Sequence, residues 1–205
     1  MNKDDPQYHS RHSMRLKGYD YDLPGAYFVT IVSWKSDCIF GEIKDGVLKL
    51  NPLGCIIQSE RYKIPQYFFH AQVGAHVVMP NHMHGIVIIE DEFVGATRHE
   101  KNNSKYNKVI RVEQTVEGFE GSPKDDLKPH GALPGSLGAI IGQLKSRVTR
   151  QYWAMAGVER CPIWQRNYYD HIIRNEHEYD QIVQYIEINP TQWEQDQYHP
   201  FKGVD

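Results

Sequence analysis

The feature that most constrains the fold is an apolar run that two turn-forming residues break in its middle. The run reads VVMPNHMHGIVII and covers residues 77–89. Pro80 and Asn81 interrupt it where a chain reversal is expected, so its two halves predict a pair of antiparallel buried strands. The second half carries His82 and His84. Since side chains two apart in a strand point to the same side, both imidazoles are expected to face one way.

Hydrophobic periodicity and turn residues predict further strands and helices along the chain. They are a strand at 26–34, a hairpin over 38–51 with Asp45 and Gly46 at its turn, a helix from 52 to about 62, a strand at about 69–79, a helix from Ser136 to about 152, an extended stretch at 162–175 and a helix at 176–188. We therefore expect one α+β domain over residues 1–205, with a single antiparallel sheet covered by helices.

Two regions do not fit this alternation. Residues 91–134 contain scattered glycine, proline and charged residues without a sustained period, which predicts a long mobile insertion and not a second domain. The residues from about 191 onward form an acidic tail.

Length and composition exclude several classes of protein. A chain of 205 residues that is 40% hydrophobic can bury one proper core. It contains no apolar stretch of membrane-spanning length and no signal-peptide pattern at its polar start. Its three cysteines are odd in number and lack CxxC spacing, so neither a disulfide framework nor a zinc knuckle is expected. We expect a cytoplasmic bacterial protein with no membrane partner.

Charge is distributed unevenly behind a net charge of only −3. Basic residues dominate between Gly135 and Arg174, whereas acidic residues dominate from Asn175 onward. A basic segment beside an acidic one can hide a local DNA-binding face within an ordinary total. The alternative is an ordinary solvated surface.

The last predicted helix places one tyrosine apart from its apolar stripe. The stripe consists of Tyr179, Ile182, Val183 and Ile186. At about 100° per residue, Tyr185 lies roughly 110° from the centre of that stripe, and Asn189 follows one turn later on nearly the same side. A phenol and a carboxamide therefore share one edge of the helix. The alternative is a surface tyrosine and a helix stop before Pro190.

Three motifs in this order carry a resemblance to a known family. PNHMHGI, WQRNYYDHIIRN and YIEINP resemble the HUH single-tyrosine transposases, and more specifically the REP-associated tyrosine transposases. The resemblance covers residues 15–193 apart from the insertion. It implies a ferredoxin-like palm with the His-hydrophobe-His pair on a central strand and a nucleophilic tyrosine on a C-terminal helix.

The resemblance also implies roles for individual residues. His82 and His84 match the metal-binding histidines, Tyr185 the nucleophile and Asn189 the third ligand, all three ligands being neutral. The implied cofactor is a divalent metal, Mg²⁺ or Mn²⁺, and the mixed nitrogen and oxygen ligands suit Mn²⁺ at least as well.

The implied reaction is cleavage and rejoining of single-stranded DNA through a covalent 5′-phosphotyrosine intermediate, without a nucleotide cofactor. The implied DNA is a REP-like hairpin, the protein a monomer or homodimer, and its place in the cell the nucleoid. No general base is evident, and Asp170 and Glu187 are candidates only by their proximity in sequence.

Candidate DNA contacts come from the basic segment and from the N-terminal region. They are Arg15, Lys145, Arg147, Arg150, Arg166, His171 and Arg174. His171 matches a recurrent family position, and a metal contact, a DNA contact and a buried structural imidazole all stay open for it. The aromatic residues Trp164, Tyr168 and Tyr169 suit either base stacking or the core.

Two other functions compete with a single-tyrosine transposase. A histidine-triad nucleotidyl transferase needs a further alternating histidine, and Ile86 occupies that position. A domesticated protein that binds DNA hairpins without cutting them stays open, although the complete set of His82, His84, Tyr185 and Asn189 disfavours it.

Overall fold

The computed structural model describes residues 23–91, 132–157 and 161–200. Arg15 and nearly all of the predicted insertion therefore lie outside the described residues. The described strands are β1 (Gly25–Val32), β2 (Gly41–Lys44), β3 (Val47–Leu50), β4 (Ala71–Val78), β5 (His82–Ile89) and β6 (Tyr169–Ile173). The α-helices are α1 (Pro52–Tyr62), α2 (Ile64–Tyr67), α3 (Leu137–Ala156) and α4 (Glu176–Ile188). Two 3₁₀ segments cover Trp34–Ser36 and Asn189–Gln195.

Four strands form one antiparallel sheet in the order β4-β5-β1-β6. The strands β2 and β3 form a separate hairpin. Helices pack on both faces of the four-stranded sheet, with α1 and α3 on one face and α4 on the other. The predicted α+β architecture, an antiparallel sheet covered by helices, is confirmed.

The local sequence signals explain where these elements begin and turn. Asp45 and Gly46 both have positive φ, 51° and 72°, as a tight hairpin turn requires. Ser136 caps α3 by accepting a hydrogen bond from the Ala139 amide at 3.2 Å. The helices predicted at 52–62 and 176–188 are confirmed, whereas the short α2 was not predicted.

The register of β1 and β5 sorts their side chains onto the two faces. Val29, Ile31 and Met83 join the core beneath α1 and α3. Thr30 lies opposite His84, and Val32 lies opposite His82. Because directly opposed residues of an antiparallel pair share a face, the histidines and Thr30 lie on the face that α4 covers.

A buried arginine supports β5 from the opposite face. Arg61 is 2% exposed, and its Nη2 donates to the carbonyls of Gly74 at 2.7 Å and Ile86 at 3.2 Å. The β4–β5 pairing is irregular at this point, and the arginine bonds across the irregularity. A Cβ at Gly85 would lie 3.2 Å from Arg61 Nε, so glycine suits this close approach. The arginine thus holds β4 and β5 together next to His84.

A buried carboxylate joins α1 to α3. Glu60 is 3% exposed and accepts from Lys63 Nζ and Arg147 Nε, both at 2.6 Å. Burial raises the pKa of Glu60, but the hydrogen bonds and positive charges of Lys63 and Arg147 outweigh burial and leave the pKa below its usual range.

None of the helices in the described part of the chain combines the length and apolar character that a membrane span requires.

We expect Glu60→Gln to lower the free energy of unfolding by about 2 kcal/mol at neutral pH, because a buried charge-assisted pair is lost. The Glu60 carboxylate has a lowered pKa in the folded state, so it stabilises the protein fully above the unfolded-state pKa of 4.5 and progressively less as pH falls below that value. The difference between wild type and variant should therefore shrink on acidification. Urea unfolding at about pH 7 and about pH 3.5 measures it.

The matched control is Glu42→Gln, which removes an ion pair with Lys44 whose side chains are 54% and 62% exposed. We expect a change of less than about 0.5 kcal/mol at either pH. Equal effects of the two substitutions would contradict the assigned role of Glu60.

Candidate metal centre

The two imidazoles of β5 converge on one point in the interior. His82 Nε2 lies 3.1 Å from His84 Nε2, and the side chains are 0% and 1% exposed. Two nitrogen ligands bound to one ion at roughly 2.1 Å and at right angles are about 3.0 Å apart. The spacing therefore matches that of neighbouring ligands on one ion.

Both histidines are neutral at physiological pH. Burial lowers the pKa of His82 to about 3. Burial also lowers the pKa of His84 to about 3, with His82 adding to the effect and Asp196 opposing it. A neutral imidazole offers a lone pair to a metal ion without first losing a charge-bearing proton. Protons thus compete little with a cation for this pair.

Hydrogen bonds on the far side of each ring hold the pair. Asn81 Oδ1 lies 2.9 Å from His82 Nδ1, and Thr30 Oγ1 lies 2.8 Å from His84 Nδ1. Such partners orient metal-binding histidines in proteins generally.

A carboxylate from the C-terminal segment, defined here as residues 190–200, completes a group of three. Asp196 is 7% exposed, and its Oδ2 lies 3.9 Å from His82 Nε2. One ligand atom from each of His82, His84 and Asp196 lies within 4.8 Å of the others. Since His82 is neutral, this contact is not an ion pair, and the carboxylate charge remains available to a cation.

Asn189, the predicted third ligand, lies beside Asp196. Its Nδ2 donates to Asp196 Oδ2 at 3.2 Å, and the residue is 3% exposed. Its Oδ1 is buried without a hydrogen-bond partner. A buried amide oxygen of this kind has lost its water without a replacement, a cost that coordination to a cation would remove.

Tyr185 reaches the same point from α4. Its hydroxyl lies 3.2 Å from His84 Nε2, and its ring is 5.2 Å from the His84 ring between centroids. Burial raises the pKa of Tyr185, and the Asp196 charge raises it further, against a hydrogen bond from Asn189 that lowers it. Without added positive charge the phenol is therefore neutral.

Tyr198 covers the histidines from the C-terminal segment. Its ring centroid lies 4.6 Å from that of His82 and 6.3 Å from that of His84. Its backbone carbonyl accepts from Asn81 Nδ2 at 2.7 Å. Its amide donates to Asp196 Oδ1 at 2.6 Å, which turns the chain back over the site. The segment closes the centre to solvent.

The donor set fits a divalent cation. Two neutral nitrogens at neighbouring-ligand spacing, one carboxylate and one unpaired amide oxygen form a mixed nitrogen and oxygen site of the kind that Mn²⁺ and Mg²⁺ occupy. His82, His84 and Asp196 are the candidate ligands that the geometry brings together, with Asn189 adjacent.

Two of the predicted DNA contacts are engaged inside the protein. Lys145 Nζ donates to the carbonyls of Gln165 at 2.6 Å and Asn167 at 3.2 Å, and burial lowers its pKa to about 8. Arg147 binds Glu60, and its guanidinium lies 3.9 Å above the Tyr67 ring.

The other basic candidates in the described residues are exposed. They are Arg150, Arg166 and Arg174.

His171 lies outside the histidine cluster, at the edge strand β6. Its side chain is 49% exposed and its Nε2 lies 2.6 Å from Glu178 Oε1. It is thus neither a buried structural imidazole nor a member of the group of three. Of the predicted aromatic residues, Trp164 belongs to the core, while Tyr169 is 46% exposed. Asp170 pairs with the core residue Val29 and so lies on the face away from the histidines.

Sequence reasoning missed Asp196 and Tyr198. Nothing in the local spacing distinguishes Asp196 from Glu194 two residues earlier, and the contact to β5 spans more than a hundred residues of chain. The sequence predicted Asn81 only as part of the turn that precedes the histidines, and not as a partner of His82.

We expect the protein to bind one Mn²⁺ and His84→Ala to weaken binding by at least a hundredfold, because it removes a central ligand. Isothermal titration calorimetry measures the dissociation constant. His171→Ala is the matched control, since it removes an exposed histidine outside the centre, and should leave the constant unchanged. Loss of binding in both variants, or in neither, would contradict this assignment.

Comparisons with known proteins bear on the family and the fold. No family model matches the sequence. Two solved structures are similar: a REP-associated tyrosine transposase bound to a REP hairpin, at 17% identity and a TM-score of 0.47 over 87% of this chain and 74% of that one, and a candidate transposase from Deinococcus radiodurans, at 15% identity and a TM-score of 0.41 over 84% of this chain and 95% of that one. At these values neither likeness decides the function of this chain.

A sequence relative shows which protein family the chain belongs to. A Haemophilus influenzae protein, described as uncharacterized, is 36% identical over 191 residues, which cover 93% of this chain and 94% of the relative. The shared length includes the described sheet and its helices. The chain belongs to the same protein family as this Haemophilus influenzae protein.

Proposed function

We propose that this protein is a metal-dependent transposase-like enzyme that cleaves and rejoins single-stranded DNA through Tyr185. One observation carries the proposal: the Tyr185 hydroxyl lies 3.2 Å from His84 Nε2, at the point where the two imidazoles converge. The motif resemblance to the HUH single-tyrosine transposases implies roles for the same three residues, His82, His84 and Tyr185.

The chemistry follows from the arrangement of these groups. Tyr185 gives up its phenolic proton to solvent, its Oη attacks the phosphorus of a phosphodiester to form the new O–P bond, and the P–O3′ bond breaks. The departing 3′ oxygen takes a proton and leaves as a 3′-OH, while the 5′ phosphate stays linked to the tyrosine. Attack by a second 3′-OH reverses the step, so strands can be rejoined without a nucleotide cofactor.

The protein positions the reacting groups, but its own side chains do not supply the positive charge that the reaction needs. Burial and the charge of Asp196 raise the pKa of Tyr185, so its phenolate is costly to form. A divalent cation held by His82, His84 and the oxygens of Asp196 or Asn189 would supply the positive charge that makes the phenolate and the phosphate oxygens less costly. Asn189 Nδ2 donates to Asp196 Oδ2 at 3.2 Å, so it holds the carboxylate next to the end of the helix that carries Tyr185.

Substrate access requires a movement. The two histidines are at most 1% exposed, and Tyr198 lies over them. A DNA strand can reach the centre only if the C-terminal segment moves aside. The same closure favours a second candidate, a protein that binds DNA hairpins without cutting them, because such a protein needs no open centre.

We expect Tyr185→Phe to abolish a denaturation-resistant protein–DNA adduct and to leave DNA binding nearly unchanged, because only the attacking oxygen is removed. The measurement is denaturing electrophoresis after incubating a labelled single-stranded hairpin with Mn²⁺. In a 5′-phosphotyrosine link the protein retains the 3′ fragment, so a 3′-end label should move with the protein and a 5′-end label should not.

Tyr179→Phe is the matched control, since it removes a phenol from the core-facing side of the same helix, and it should leave the adduct intact. Persistence of the adduct in Tyr185→Phe would refute the nucleophile. Hairpin binding without an adduct in Mn²⁺ and in Mg²⁺ would establish the non-cleaving alternative.

A further inference from the structure

The two histidines are held by chemically different partners, an amide for His82 and a hydroxyl for His84. We propose that Asn81 and Thr30 are positioning residues with distinct tasks. Asn81 fixes His82 in one tautomer, whereas Thr30 permits His84 to change tautomer when a cation binds. The task of Thr30 rests on the proposed metal-dependent function, whereas the task of Asn81 does not.

Asn81 can face His82 in one orientation only. The residue is 0% exposed, and its Nδ2 donates to the carbonyls of Ser36 at 2.9 Å and Tyr198 at 2.7 Å. Carbonyl oxygens cannot donate, so turning the amide over would set its oxygen against two other oxygens. Asn81 Oδ1 therefore faces His82 Nδ1 at 2.9 Å, and it can only accept. His82 must carry its hydrogen on Nδ1.

This assignment defines the inward side of His82. With its hydrogen on Nδ1, the neutral ring has a lone pair on Nε2. That lone pair points at His84 Nε2, 3.1 Å away. His82 is therefore in the tautomer that a metal ligand needs before any cation arrives.

Thr30 imposes no such choice on His84. A hydroxyl donates and accepts equally well, and Thr30 Oγ1 lies 2.8 Å from His84 Nδ1. Thr30 is 4% exposed, so bulk water cannot replace its hydroxyl as the partner of His84 Nδ1. His84 can hold its hydrogen on either nitrogen without losing the bond to Thr30.

The distance between the inward nitrogens decides which tautomer each state adopts. Two lone pairs facing each other at 3.1 Å repel. In the metal-free protein, His84 therefore donates from Nε2 to His82 Nε2 and accepts from Thr30 at Nδ1. The Tyr185 hydroxyl, 3.2 Å from His84 Nε2, can then only accept from that nitrogen. A cation in the centre would take the lone pair of His84 Nε2, so His84 would then carry its hydrogen on Nδ1, where the Thr30 oxygen would accept it. The proton would exchange with water that enters when the C-terminal segment moves aside, and the net charge of the ring would be unchanged.

The direct test is the position of the ring hydrogens, measured by long-range ¹H–¹⁵N NMR of the full chain without metal and with Zn²⁺, a diamagnetic probe. We expect His82 to be protonated at Nδ1 in both states. We expect His84 to be protonated at Nε2 without metal and at Nδ1 with Zn²⁺. A metal-free His82 protonated at Nε2 would overturn the first half, and a His84 that keeps one tautomer after Zn²⁺ addition would overturn the second.

Substitution of Thr30 separates its hydroxyl from its shape. Thr30→Val keeps the branched outline but removes the bond to His84 Nδ1 in both states. Because a metal-bound imidazole has a more polarised N–H and depends more on an acceptor, Zn²⁺ affinity should fall about tenfold. Thr30→Ser keeps a hydroxyl and should retain an affinity near that of wild type. Equal affinities for the valine and serine variants would contradict the role of the hydroxyl.

Substitution of Asn81 needs a control for loosening of its turn. Asn81→Ala should weaken Zn²⁺ binding between about tenfold and a hundredfold and leave His82 as a mixture of tautomers. Ser33→Ala removes a hydrogen bond of the adjoining turn after β1, from Ser33 Oγ to the Asp37 carbonyl at 2.7 Å, and should change neither property. The backbone amide of Ser33 donates to the Asn81 carbonyl at 2.8 Å, so the two turns support each other. If Ser33→Ala weakens binding as much, Asn81 acts only through the turn.

These measurements use no DNA, so their outcome is separate from that of the cleavage assay. The expected tautomers in a protein that forms no covalent adduct would uphold the positioning roles and refute cleavage. An adduct from a protein whose His84 never changes tautomer would do the reverse.

Discussion

The structure of the site depends on two uncharged imidazole nitrogens, His82 Nε2 and His84 Nε2, that lie 3.1 Å apart in the protein interior. Burial keeps both rings neutral. Neutral rings at this distance need either a shared hydrogen or a positive ion between them, because two facing lone pairs repel. The carboxylate of Asp196 and the unpaired oxygen of Asn189 lie on the same side as these nitrogens. The balance of charge therefore favours a cation over an added proton.

The sheet provides this convergence through strand geometry alone. β5 is an inner strand, so β1 and β4 fix its backbone on both edges and its alternate side chains project to one face. Arg61 binds β4 and β5 from the other face, opposite His84. α4 then closes the histidine face and carries Tyr185 to it. His82, His84 and Tyr185 each reach the centre from a strand or an α-helix, which limits how far they can move.

Local rules explain what the sequence could predict. The shared face of His82 and His84 follows from strand alternation, and the separation of Tyr185 from the apolar stripe follows from helical periodicity. The α+β class follows from the order of the same patterns. The roles of Asp196 and Tyr198 could not be predicted, because their contacts with His82 join the C-terminal segment to β5 across more than a hundred residues. Likewise, positive charge at Lys145 and Arg147 did not reveal the internal acceptors that engage them.

The C-terminal segment links access to the centre with the orientation of its ligands. Tyr198 covers the histidines with its ring and orients Asn81 with its carbonyl. If the segment moves aside, Asn81 loses one of two acceptors but keeps the Ser36 carbonyl, which belongs to the turn after β1. One remaining bond still forbids the reversed amide. Asp196, by contrast, belongs to the moving segment, whereas Asn189 follows α4 directly. Opening would therefore tend to exchange a charged oxygen ligand for the neutral amide oxygen, leaving more of the cation's charge to act on a phosphate.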